Sequence, residues 1–126
     1  MIRILFSDDG NWLTVCNSDA KIEILRKNQA GEYESYQIIT FDSDSDFIAY
    51  CDMSGDGQFI GASDAAKVGI YVFNSTTSYF ESYQNITMDV NYLDFTNDGR
   101  YLAITTLANI SIFKNDGSSF TEYQEL

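Results

Sequence analysis

Three carboxylates stand at alternate positions in "FDSDSDF", as Asp42, Asp44 and Asp46. This is the opening spacing of an oxygen-ligand calcium loop, D-x-D-x-D. Such a loop next needs a glycine for its sharp turn and a bidentate glutamate at its twelfth position, where this chain has Phe47 and Met53. The stretch therefore reads first as a hydrophilic loop, with Asp42, Asp44 and Asp46 a minor cation candidate. No resident metal or cofactor is expected. Cys16 and Cys51 are the only cysteines and there is no histidine, which excludes a typical zinc site. Both lie in alternating apolar runs, the setting of buried free thiols.

Nucleophilic catalysis has little to work with. Without histidine there is no Ser-His or Cys-His pair. The eight glycines are scattered, mostly at turns, and form no phosphate cradle. The sequence expectation is accordingly that the chain is not an enzyme. Its net charge of −12 argues against nucleic acid and against an anionic membrane, both of which call for clustered Lys and Arg. No apolar run approaches the ~18 residues of a membrane-spanning helix. The opening "MIRILFSDDG" is too short and too soon acidic for a secretory signal. That favours the cytoplasm slightly, and leaves secretion open if a signal precedes this sequence. Sequons at Asn74, Asn85 and Asn109 matter only in that second case.

The elements that position these groups come from a repeat. "YESYQIIT" begins at Tyr33 and "FESYQNIT" at Phe80, with "FTEYQEL" as a third, shortened copy from Phe120. Asp9-Gly10, Asp56-Gly57 and Asp98-Gly99 precede them as hairpin turns. After each turn comes the same polar, aromatic, aliphatic, small, aliphatic, small series: "NWLTVC", "QFIGAS" and "RYLAIT". Next come β-branched strands in "KIEIL", "KVGIY" and "NISIF". From Gly10 to Tyr36, Gly57 to Tyr83 and Gly99 to Tyr123, the three spacings agree to within two residues. Strands before each turn, in "IRILF", "FIAYCDM" and "VNYLDF", complete the unit. The sequence thus predicts three all-β units of four strands, each an antiparallel meander, at about 2–40, 47–87 and 90–126. Little or no helix is expected.

The pattern F-S-x-D-G-x-aromatic-L-A, followed by a strand ending I-x-I-F, resembles the WD-repeat β-propellers, without their Gly-His and Trp-Asp dipeptides. The resemblance covers nearly the whole chain. It implies a three-blade portion of a propeller, a fold that usually closes with ~4 to 8 blades. It also implies a protein-interaction scaffold whose end faces need cover. That cover would be further blades of a longer chain, which the start inside a strand favours, a second copy, or another protein. In a meander blade, the loops carrying Asp19, Asp42, Asp44, Asp46, Asp64 and Asp89 emerge at one end. They are the candidate rim for a basic partner or a loosely held cation. Trp12, Phe59 and Tyr101 occupy one equivalent position. They read as packing between blades, with a glycan-binding, lectin-like propeller as the alternative. The Tyr-Gln pairs read as half-buried blade edges.

Overall fold

The structure is a computed structural model that describes residues 3–17, 19–43 and 47–126. Among the described residues, twelve strands form three separate sheets of four. The first blade is β1 (Arg3–Phe6), β2 (Trp12–Cys16), β3 (Lys21–Lys27) and β4 (Tyr33–Thr40). The second is β5 (Tyr50–Met53), β6 (Phe59–Ser63), β7 (Lys67–Asn74) and β8 (Tyr79–Thr87). The third is β9 (Tyr92–Phe95), β10 (Tyr101–Thr105), β11 (Ile110–Asn115) and β12 (Phe120–Glu125). Every pairing is antiparallel between consecutive strands, and no helix occurs among the described residues. The innermost strands start later than "FIAYCDM" and "VNYLDF" suggest, at Tyr50 and Tyr92. Ile48 is instead a buried plug in the connection.

The Asp-Gly turns form for a local reason. Gly10, Gly57 and Gly99 sit at φ of 72°, 74° and 70°, where a side chain would be strained. The aspartate before each one accepts a hydroxyl and a backbone N–H across its turn. Asp56 Oδ1 takes the Ser54 hydroxyl at 2.6 Å and the Gln58 N–H at 3.0 Å. Asp9 and Asp98 repeat the arrangement with Ser7 and Asn11, and with Thr96 and Arg100.

Each blade has two faces, and the strand period of two assigns them. On β2 and its equivalents, the aromatic and small residues look forward to the next blade, while the aliphatics look back. Two cores result, one per interface. Ile22, Ile24 and Cys16 meet Cys51, Met53, Ile60 and Phe80 between blades one and two. Val68 and Ile70 meet Leu93, Phe95, Leu102 and Phe120 between blades two and three.

The cysteines correct the free-thiol expectation: Cys16 and Cys51 form a disulfide with Cα atoms 6.6 Å apart. Both are buried. Periodicity places each in an apolar layer, Cys16 facing forward from β2 and Cys51 facing back from β5. Within a blade's own pattern, nothing says that the two layers are one.

Candidate functional site

The constellation that repeats most fully lies between blades, and the Tyr-Gln pair is its centre. In each blade the outer strand carries a bulge at the same register, opposite the step from Ile24 to Leu25 on β3, Ile70 to Tyr71 on β7, and Ile112 to Phe113 on β11. The residue left unpaired is Tyr36, Tyr83 or Tyr123. Adjacent strand residues normally point to opposite faces, and a bulge re-aims one of them. Here both the tyrosine and the following glutamine can turn toward the next blade.

The glutamine then clasps the next blade's outer strand. Gln37 Nε2 donates to the Phe80 carbonyl and its Oε1 accepts the Phe80 N–H, both at 2.8 Å. Gln84 does the same to Phe120 at 2.8 and 2.7 Å. The tyrosine ring packs on the β2-type aromatic, Tyr36 on Trp12 at 5.2 Å and Tyr83 on Phe59 at 5.5 Å. That aromatic in turn covers the next blade's turn glycine. A Cβ on Gly57 would come within 3.0 Å of Trp12, and one on Gly99 within 2.8 Å of Phe59. The turns are also stitched directly, Asp8 N–H to the Gly55 carbonyl and Asp56 N–H to the Asn97 carbonyl, each at 2.7 Å.

A buried carboxylate joins the second interface. Asp52 Oδ2 accepts the Phe95 N–H at 2.7 Å. Its pKa is pushed up to about 6, chiefly by burial, with the Phe95 N–H opposing the rise and the neighbouring Asp94 adding to it. Asp94 occupies on blade three the place that Asp52 holds on blade two. It lines an open groove of about 830 Å³ with Tyr101, Ala103, Ile112 and Tyr123. The register positions of this groove match those of the blade-two surface that receives blade three. Tyr101 and Tyr123 already stand edge to face at 5.7 Å, as Phe59 and Tyr83 do.

The acidic rim expected from the sequence is described at four of its six residues. Asp44 and Asp46 lie outside the described residues, so the D-x-D-x-D reading is described only at Asp42. That residue is exposed and 3.7 Å from Lys67. Asp19 is exposed at a turn and Asp89 is exposed in the connection between β8 and β9. Asp64 is fully buried; its Oδ1 accepts the Ala66 and Lys67 N–H groups, and its Oδ2 accepts the Ser43 hydroxyl. Among the described residues, no three metal-ligating side chains gather. Sequence reasoning missed the glutamine clasp and Asp52. The signal was present for the clasp: the same Tyr-Gln pair three times at one register.

No family model matches the sequence, and no curated protein matches it. Solved structures do. A protein assigned as a 6-phosphogluconolactonase from Bacteroides uniformis is 19% identical, with a TM-score of 0.80 over 99% of this chain and 40% of its own. A periplasmic gluconolactonase of Pseudomonas aeruginosa is 13% identical, with a TM-score of 0.72 over 98% of this chain and 39% of its own. The β-propeller domain of Cps50 (Swd1) from Myceliophthora thermophila is 13% identical, with a TM-score of 0.71 over 100% of this chain and 43% of its own. The chain thus spans about two-fifths of the length of each. These likenesses correct the expectation that the chain is not an enzyme: the architecture is shared with lactonases, so missing histidines and phosphate loops do not exclude catalysis. They also fix the fold, which is that of three consecutive blades of a WD-repeat-like β-propeller.

Proposed function

We propose that the chain is a protein-interaction module, part of a larger propeller or assembly, and that it binds through the forward face of its third blade. The observation that carries this reading is the groove at Asp94, Tyr101 and Tyr123, which repeats the two surfaces that each receive a blade within the chain. Ile110, Tyr123 and Leu126 leave large apolar area exposed there, as expected of a partner surface. Trp12 and Phe59 are packed between blades, which takes two of three aromatics away from the glycan-binding alternative. The test compares proteins retained by the immobilised chain with those retained by Ala103→Arg, which puts a charge into the groove. Species held by the first and lost from the second support the reading; identical retention refutes it.

A second reading, hydrolysis of a sugar lactone, is favoured by the likeness to lactonase folds. Its test is turnover of 6-phosphogluconolactone and gluconolactone, followed by acid release at constant pH. No rate above the spontaneous one for either substrate refutes it.

A further inference from the structure

The chain carries both halves of an interface that it uses twice. Its third forward face lies open on blade three, and its third backward face lies open on blade one. The backward face is already shaped like those that are covered. Phe6 stands 5.9 Å from Tyr33, as Phe95 stands 5.8 Å from Phe120, yet Phe6 is 57% exposed where Phe95 is 6%. Ile4 beside it is 58% exposed, whereas its equivalent Cys51 is 1%. Gly10 shares the positive φ of Gly57 and Gly99, but a Cβ there would meet only the Tyr33 hydroxyl, at 3.9 Å, and no aromatic lid.

From this complementarity we infer that the occupant of the open groove is the first blade of a second copy of this chain. The inference rests on the proposed interaction reading and names its partner. The pairing is head to tail and reciprocal. Each copy's blade three receives the other's blade one, so two identical interfaces close six blades into a ring, within the usual ~4 to 8. Three contacts follow from the register. Tyr101 covers Gly10 of the second copy, as Trp12 covers Gly57 and Phe59 covers Gly99. Gln124 clasps the backbone N–H and carbonyl of Tyr33 in the second copy. The latter stands opposite Lys27 as Phe80 stands opposite Phe73. Asp94 accepts the Phe6 N–H, as Asp52 accepts that of Phe95.

The internal disulfide supplies a test. Cys16 pairs with Arg3 on its sheet, and the equivalent of Cys16 on blade three is Thr105, paired with Tyr92. Cys51 follows Tyr50 as Ile4 follows Arg3. The Cys16–Cys51 geometry is therefore repeated, between copies, at Thr105 and Ile4. Sedimentation equilibrium of the unaltered chain should give twice 14.2 kDa. After mild oxidation, the variant carrying Ile4→Cys and Thr105→Cys should run as a dimer on a non-reducing gel, while each single variant runs as a monomer. Both positions lie on open faces, and an unchanged circular dichroism spectrum controls for folding. A monomer at about 100 μM overturns the inference. So does a dimer whose double variant fails to cross-link, or one in which a single variant cross-links equally well. A monomer that still retains other proteins in an Ala103-dependent way would leave the interaction reading standing and remove only this occupant.

Discussion

Replacing Asp52 with asparagine should stabilise the protein at neutral pH and flatten its response to acid. The carboxylate titrates near 6 when folded and near the ordinary 3.8 when the chain is unfolded. Between those values the folded state holds the proton more tightly, so stability falls as pH rises from about 4 through 6. The span of roughly two pH units corresponds to about 2–3 kcal/mol, at ~1.4 kcal/mol per unit. For a chain of this size that is roughly 6–12 °C in Tm. The asparagine side chain would keep an amide oxygen for the Phe95 N–H and carry no charge to desolvate. Thermal unfolding from pH 4.5 to 8, followed by circular dichroism, should show the native protein losing Tm and Asp52→Asn holding nearly level. The variant should be the more stable at pH 7. A variant less stable at pH 7, with an unchanged pH slope, would refute the burial argument. Below about pH 4 both proteins should lose stability as the pH falls further. Asp9 and Asp98 are held below the usual carboxylate value, first by the Asn11 and Arg100 N–H groups, and protonation forfeits those bonds.

Gln84→Ala should cost about 2 kcal/mol, because it strands the Phe120 N–H and carbonyl at a half-buried edge. Gln124→Ala should leave the unfolding midpoint of the dilute monomer unchanged, a contrast that urea titration reads directly. Removing the disulfide with Cys16→Ala and Cys51→Ala should cost about 4 kcal/mol, from a closed loop of 35 residues. The same loss should appear in the native protein under strong reductant. Trp12→Ala should cost about 3–5 kcal/mol, since the ring packs on Tyr36, Phe73 and Phe80 at once. A loss under ~1 kcal/mol would mean that the indole does not seal the interface.

Strand order, turn chemistry and the assignment of faces were legible because they are local or periodic. Asp-Gly sets the hairpin, and a period of two tells Leu13 from Trp12. Trp12 and Phe59 were legible as packing between blades, but the polar and covalent contacts between blades were not legible from one blade's pattern. Cys16 and Cys51 each look like an ordinary apolar position until two sheets are laid together. Asp52 reads as a solvent-facing residue of a half-exposed strand, and only the neighbouring inner strand buries it. Tyr36 and Gln37 would face opposite ways in a regular strand. Their shared orientation depends on a bulge that composition does not announce. Burial at the acidic rim was equally illegible: Asp64 reads as one more exposed acid, yet its oxygens accept from its own turn and from Ser43.

The covalent link between the first two blades has no counterpart at the second junction, where Ser63 and Leu93 hold the matching places. The molecule is therefore bolted at one seam and merely seated at the other. Pulled by its two ends, it should yield first at the seated seam, shedding the third blade at low force while the bolted pair resists as one piece.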